Sequence, residues 1–226
     1  MRPSSGLTRH TLLVLTLVLG PLAAGPPQPG PGNGAAGEGR AGSPVTPEGQ
    51  QAPSLLVMIV VDQLPAELLD RYDPAFTGGL RRLRDEGLRF LSTTHDHAIT
   101  ETAPGHATLV TGTWPSHHGV VSNQWWEAEP PSFKAVLNVV DPKAPVLGYP
   151  QLPGASPAVL ERDGLADWLQ AANPDSRVVS VSGKARGAVL LASHSDADVF
   201  WFEPALGRFV TSTHYASDYP DWVTDF

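Results

Sequence analysis

The chain has 226 residues, of which 41% are hydrophobic and 17% charged, and this suits one globular domain or a large part of one. Its formal net charge of -8 argues against a scaffold for nucleic acid, because such a protein needs a basic face. The absence of cysteine excludes disulfides, cysteine-ligated zinc and a thiol nucleophile.

Residues 1–24 have the layout of a secretory signal peptide. Arg2 and Arg9 give a positive start, residues 12–19 form an apolar run, and small residues provide a cleavage site after Ala24. The apolar run is shorter than the roughly 20 residues that a transmembrane helix needs. We therefore expect an exported protein, periplasmic or secreted, without stable membrane insertion after cleavage. The alternative is an uncleaved membrane anchor.

Residues 25–53 are rich in proline and glycine and contain almost no large apolar side chain. Such a segment cannot bury enough apolar surface to offset the entropy lost on ordering. It is therefore expected to be a disordered linker, and the folded domain is expected to occupy residues 54–226.

The folded part alternates between strand and helix patterns. Residues 55–61 form a continuous apolar run rich in β-branched side chains, which predicts a strand buried on both faces. The later predicted elements, in chain order, are a helix over 78–86 ended by Gly87, a strand over 88–93, helices over 104–111 and 163–172, a strand over 177–182, a helix over 188–192, and strands over 198–202 and 208–211. This alternation indicates an α/β fold with a central, largely parallel sheet flanked by helices.

Asp62 directly follows the first predicted strand. Ligands of open α/β sheets gather at the carboxyl ends of the strands, so this carboxylate is placed where it could bind a hard cation. The pattern alone is equally typical of an aspartate that caps a turn or helix before Pro65. Both interpretations are open on these residues.

The segment around Thr102 has a more specific pattern. Thr102 precedes Pro104, which opens a predicted helix, so its hydroxyl is expected to face the same pocket as the backbone N–H groups of the first turn. Such a helix start favours phosphate. A threonine hydroxyl is a weak nucleophile unless a cation or base activates it. Thr102 is therefore a candidate nucleophile that requires a metal or a nearby base.

Four motifs carry a family resemblance: Val-Val-Asp62-Gln, Thr102-Ala-Pro-Gly-His106, Thr111-Gly, and Pro115-Ser-His-His118-Gly-Val-Val-Ser-Asn123. They resemble the alkaline phosphatase superfamily, in the branch of nucleotide pyrophosphatase/phosphodiesterases and phosphate-irrepressible alkaline phosphatases. The resemblance implies an alkaline-phosphatase-like core, incomplete at its C-terminus, with residues 54–226 as the N-terminal part of the catalytic domain.

The resemblance also implies the chemistry of a metal-dependent hydrolase that acts on small-molecule phosphate monoesters. Thr102 would attack phosphorus and form a phosphothreonine intermediate, and Asp62 and Thr102 would ligate one of two zinc ions. Water on the other zinc would then hydrolyse the intermediate. Asn123 would donate its side-chain amide to a phosphoryl oxygen.

Two cations bear on the choice of ester. Lys184 and Arg186 lie in Ser182-Gly-Lys-Ala-Arg-Gly187, where the flanking glycines allow a small anion to approach closely. A monoester dianion carries one charge more than a diester, so additional cations favour the monoester. The spacing also resembles the lysine and arginine of the phosphate-irrepressible alkaline phosphatases. The other interpretation is a solvated loop with two surface cations.

The histidines of these motifs are expected to be structural. His106 stands beside the candidate nucleophile, and His117 and His118 are expected to order the turn that leads to Asn123. His95 and His97 have the spacing of a ligand pair on a strand, but the family has no such site there.

The remaining metal ligands of the family are expected in the C-terminal half of its domain. The sequence after residue 187 contains no Asp-x-x-x-His followed by an Asp-His pair. We therefore expect a fragment that is inactive alone and only partly folded, with exposed apolar sheet edges. Two other functions stay open: a phosphodiesterase or nucleotide pyrophosphatase of the same superfamily, and a non-catalytic exported phosphate-binding protein.

Overall fold

The computed structural model of the chain describes residues 11–18, 54–129 and 131–225. The predicted linker over 25–53 and most of the predicted signal peptide lie outside the described residues. None of the helices in this described part has the length and apolar character that a bilayer crossing requires.

The described part of the chain contains both strands and helices, in runs of one kind up to residue 155 and in alternation over residues 165–203. The strands are β1 (Thr11–Val18), β2 (Leu55–Asp62), β3 (Trp125–Glu129), β4 (Ser132–Val136), β5 (Val140–Asp141), β6 (Gly154–Ala155), β7 (Arg177–Ser182), β8 (Ala197–Glu203) and β9 (Arg208–Val210). The helices are α1 (Ala66–Arg71), α2 (Gly78–Glu86), α3 (Thr102–Thr111), α4 (Pro115–His118), α5 (Leu165–Ala172), α6 (Ala185–Ala192) and α7 (Asp221–Thr224), and a 3-10 turn covers Asp73–Ala75.

The main sheet has the strand order β2-β1-β7-β8-β9. The strand β1 runs parallel to both β2 and β7, and β7 runs parallel to β8. Only the edge strand β9 is antiparallel to its neighbour in this sheet. The predicted α/β fold with a largely parallel sheet is confirmed.

The strand β1 falls within the predicted signal peptide. Leu13 pairs with Val57 of β2 on one side and with Val179 of β7 on the other. If residues 1–24 are cleaved off as a signal peptide, the eight residues of β1 cannot be part of the sheet in the mature protein. The signal peptide stays a prediction.

The core lies where α6 packs on the parallel strands. Residues 187–192 of α6 are all buried, and α6 contacts α3 on one side and β7 and β8 on the other. The Ser180 hydroxyl of β7 donates to the Ala188 carbonyl at 2.7 Å, which satisfies a polar group in this apolar layer. The position of α3 is therefore fixed by a well-packed helix rather than by a loop.

Most predicted elements occur with small changes in their bounds. The helix α2 and the strand β7 have the predicted limits, whereas α3 begins two residues early, at Thr102, and α6 begins at Ala185. The predicted strand over 88–93 is wrong. Its apolar side chains are largely exposed and find no partner strand within the described residues; Leu88 is 92% exposed.

The strand β2 corrects a second prediction, since none of its residues is fully buried. Met58 and Val60 pack against the core, but Leu55, Val57 and Ile59 are exposed on the opposite face. In the described part of the chain no helix covers that face. One side of β2 is therefore an exposed apolar surface.

The contribution of α6 to the hydrophobic core can be tested by making the same Leu→Ala substitution at a buried and at an exposed position. Leu190 of α6 is fully buried, whereas Leu83 of α2 is 64% exposed. We expect Leu190→Ala to lower the free energy of unfolding by about 2–5 kcal/mol, because it removes apolar contacts and leaves a cavity. Leu83→Ala is expected to change it by less than ~0.5 kcal/mol. Urea unfolding of both variants gives the comparison, and equal losses would contradict this account of the core.

Candidate active site

Asp62 and Thr102 come together at the carboxyl end of β2. Asp62 is the last residue of the strand, and Gln63 after it has a φ of 60°, a left-handed conformation that turns the chain away from the sheet. The Thr102 hydroxyl donates to Asp62 Oδ2 at 2.7 Å. The N-cap residue of α1 is Pro65, so Asp62 does not cap that helix.

The helix α3 presents Thr102 as its first residue. Ala103, Ala107 and Val110 are buried, which holds the helix against the core, and Gly112 ends it in a left-handed conformation with a φ of 63°. Thr102 itself is 7% exposed. A hydroxyl in this position is held in one direction by the packing of its own helix.

Asn123 reaches the same helix start from the loop after α4. Its Oδ1 accepts the N–H of Ala103 at 2.9 Å. Because the amide oxygen is used in this way, the Nδ2 group is the end of the side chain that can donate to another molecule. Ala103 and Pro104 thus offer no backbone N–H that is available to bind a phosphate, since the Ala103 N–H is bonded to Asn123 and Pro104 has no N–H.

Lys184 and Arg186 stand at the start of α6, beyond the carboxyl end of β7. Lys184 is the N-cap residue, and its N–H donates to the Ser182 hydroxyl at 3.2 Å. Both side chains are half-buried, and Arg186 Nε is buried without a hydrogen-bond partner among the described residues. The two cations are thus less exposed than a fully solvated pair, and their role as phosphate ligands stays a prediction.

The electrostatics of His106 show that these groups share one neighbourhood. Burial lowers the pKa of His106, the positive charges of Arg186 and Lys184 lower it further, and the negative charge of Asp62 opposes them. Its ring Nδ1–H donates to the Thr102 carbonyl at 2.7 Å, and Nε2 is buried without a partner among the described residues. His106 thus ties the backbone of Thr102 to the helix.

His118 orders the loop that precedes Asn123. Its side chain is fully buried, Nδ1 accepts the Val120 N–H at 3.2 Å, and Nε2 lies 3.1 Å from the Thr108 hydroxyl. Since Nδ1 accepts, the ring proton is on Nε2 and the imidazole is neutral. Burial lowers the pKa of His118 to about 4.

Two residues that contribute to the site, Glu101 and Asn138, were not identified from the sequence. Glu101 Oε2 accepts both the Ser122 hydroxyl at 2.8 Å and the Asn123 N–H at 2.6 Å. Asn138 is buried and donates through Nδ2 to the Asn123 carbonyl. Their partners are distant in sequence, so spacing gave no signal for either.

A further group lies elsewhere on the chain: Asp163, Asp167 and His194 could together face one metal ion. Asp167 is already engaged, since its Oδ2 accepts the Gly164 N–H at 2.6 Å at the start of α5. Asp62 and Thr102 are not part of this group. Their carboxylate and hydroxyl oxygens could serve as two oxygen ligands of a divalent cation but do not make a complete site.

The fold that positions this site is alkaline-phosphatase-like. The crystal structure of wild-type alkaline phosphatase PafA matches 98% of this chain and 35% of its own, with a TM-score of 0.70 and 27% identity. A second crystal structure shows a PafA variant in which a threonine is replaced by serine and an asparagine, a lysine and an arginine by alanine.

The chain belongs to the type I phosphodiesterase / nucleotide pyrophosphatase family, whose model matches residues 56–225. Alkaline phosphatase PhoK of Sphingomonas sp is 34% identical over 149 residues, which are 66% of this chain and 27% of PhoK. Alkaline phosphatase PafA of Elizabethkingia meningoseptica is 36% identical over 178 residues, which are 77% of this chain and 32% of PafA. The chain thus spans about a third or less of the length of these relatives.

The burial of His118 predicts a pH dependence of stability. Its pKa is about 4 in the folded chain and 6.5 as the reference value, so the unfolded chain takes up a proton first as the pH falls. The contribution of the neutral ring is complete above pH 6.5 and is lost between pH 6.5 and 4. We expect His118→Gln to flatten the loss of unfolding free energy over this range.

The control is His117→Gln, at the exposed neighbouring histidine. Urea unfolding at a series of pH values measures both slopes. A wild-type slope in His118→Gln, or an equal flattening in His117→Gln, would contradict the assignment.

Proposed function

We propose that the natural polypeptide carrying these residues hydrolyses phosphate monoesters, with Thr102 as the nucleophile that forms a phosphothreonine intermediate. The observation that carries this proposal is the 2.7 Å hydrogen bond from the Thr102 hydroxyl to Asp62. It holds the hydroxyl at the start of α3 beside a carboxylate that could accept its proton or bind a cation together with it, and either would activate an oxygen nucleophile.

The substituted residues of the PafA variant support this choice of residues. Its threonine and asparagine are separated by the same number of residues as Thr102 and Asn123, and its lysine and arginine by one residue, as Lys184 and Arg186 are. We infer that these four residues of this chain act on one phosphoryl group. Asn123 would donate through Nδ2, and the two cations would bind the remaining oxygens.

Asp62 and Thr102 would hold a divalent cation. We propose that this cation is one of two zinc ions. Such an ion, when bound, stabilises the alkoxide form of the threonine hydroxyl. The chain's own residues supply the rest: α3 directs the hydroxyl and α6 brings the two cations to the anion. The 226-residue chain is proposed to be inactive alone, and full phosphatase activity of the purified chain with added zinc would contradict this.

We further propose an exported protein, periplasmic or secreted, on the basis of the predicted signal peptide. Its partner would be a small-molecule phosphate ester. A second candidate, hydrolysis of phosphodiesters or nucleotide pyrophosphates, is favoured by the description of the family whose model matches the chain. A non-catalytic exported phosphate-binding protein is the third outcome that the experiments below distinguish.

The role of Thr102 can be tested with two substitutions in the natural polypeptide. Thr102→Ala removes the nucleophile and is expected to lower kcat/KM for p-nitrophenyl phosphate by at least about 10³-fold. Thr102→Ser keeps a hydroxyl within reach of Asp62 and is expected to retain measurable activity and to become phosphorylated on serine. Equal activity of Thr102→Ala and wild type would exclude Thr102 as the nucleophile, and a wild type that binds phosphate without turnover would favour the binding protein.

The choice of ester depends on the two cations. Lys184→Ala and Arg186→Ala are each expected to lower kcat/KM for p-nitrophenyl phosphate about 10- to 100-fold, because each removes a charged donor to the dianion. The same variants are expected to change turnover of bis-p-nitrophenyl phosphate much less. Arg177→Ala is the matched control, since Arg177 is an exposed cation that pairs with Asp198 at 3.3 Å. A preference for the diester in the wild type would favour the second candidate.

A further inference from the structure

Asn123 is held by three contacts from two segments, the start of α3 and the loop that carries Asn138. Its N–H donates to Glu101 Oε2 at 2.6 Å, its carbonyl accepts Asn138 Nδ2, and its side-chain Oδ1 accepts the Ala103 N–H at 2.9 Å. A loop residue with both backbone groups and one side-chain atom bonded has little freedom to move. The remaining polar group, Nδ2, has no hydrogen-bond partner among the described residues and is thereby aimed in one direction.

Glu101 is the contact that links Asn123 to the nucleophile. It is the N-cap residue of α3, so it is adjacent to Thr102 in the chain, yet its side chain does not cap its own helix. Instead, one of its two carboxylate oxygens, Oε2, accepts hydrogen bonds from both the Ser122 hydroxyl and the Asn123 N–H. The side chain therefore transmits the position of the helix start to the loop that carries Asn123.

We propose that Glu101 is a positioning residue, which fixes Asn123 relative to Thr102 so that both address the same phosphoryl group. This rests on the proposed function. Glu101 does not itself contact the substrate in this account, since its oxygen Oε2 already accepts hydrogen bonds from Ser122 and Asn123. Asn138 holds the same loop from the opposite side, through the Asn123 carbonyl.

Two substitutions at Glu101 separate hydrogen bonding from charge. Glu101→Gln keeps one side-chain oxygen, which suffices because both donors go to Oε2, but it removes the negative charge. Glu101→Ala removes both. We expect kcat/KM for p-nitrophenyl phosphate in the natural polypeptide to fall about three- to tenfold in Glu101→Ala, while Glu101→Gln stays within about twofold of wild type. Glu67→Ala, at an exposed glutamate of α1, is the surface control.

A double-mutant cycle tests whether Glu101 acts through Asn123. In an Asn123→Ala background, Glu101→Ala is expected to cause no further loss of kcat/KM, because the group that it positions is gone. A full further loss, or a loss in Glu101→Gln as large as in Glu101→Ala, would overturn the proposal.

A readout without catalysis separates failure of this proposal from failure of the proposed function. Hydrogen exchange of the Asn123 amide in the natural polypeptide is expected to be slow in wild type and Glu101→Gln, and at least about tenfold faster in Glu101→Ala. Ser122→Ala, which leaves the Asn123 bond intact, is expected to keep the slow exchange. Unchanged exchange in Glu101→Ala would overturn the positioning role, whereas absence of phosphatase activity in wild type would count only against the proposed function.

Discussion

The hydrogen bond between Thr102 and Asp62 joins two elements that are 40 residues apart in the chain. It depends on the parallel sheet, which ends β2 and β7 at the same edge, and on α6, which packs between the sheet and α3. Because Lys184 is the N-cap residue of α6 and Arg186 lies in its first turn, the same packing sets the positions of Thr102 and the two cations relative to one another. The geometry of the site therefore depends on the packing of the buried helix α6 between the sheet and α3, rather than on the conformation of a single loop.

The sequence predicted the parts of the site that local pattern determines. An aspartate after an apolar run and a threonine close to a helix start are visible in a few residues; Asp62 ends β2 as expected, and Thr102 is the first residue of α3 rather than a residue before it. Glu101 and Asn138 were not found. A glutamate before a helix is ordinary, and its partners Ser122 and Asn123 lie 21 and 22 residues away, so only the folded chain brings them together.

The errors in the fold have a related physical cause. A continuous apolar run predicts burial on both faces, but in β2 the face with Leu55, Val57 and Ile59 is exposed. Residues 88–93 are likewise apolar but have no strand to pair with in the described part of the chain. Both patterns describe surfaces suited to burial, and whether they are buried depends on what packs against them. The aligned segments make up 27% of PhoK and 32% of PafA, so these relatives have a large further part of the chain beyond the segment that matches.

Anion binding by so acidic a chain requires that positive charge be concentrated locally. The net charge is -8, yet the site has Lys184 and Arg186 at the start of α6, and α3 also begins there. Each helix start adds a partial positive charge to that of the side chains. Asp62 and Glu101 partly balance this charge while both carboxylates are bonded to neighbouring groups. The net negative charge would repel a phosphate ester only weakly at a distance, because salt screens it, so the proposed recognition would rely on short-range donors whose positions the fold fixes.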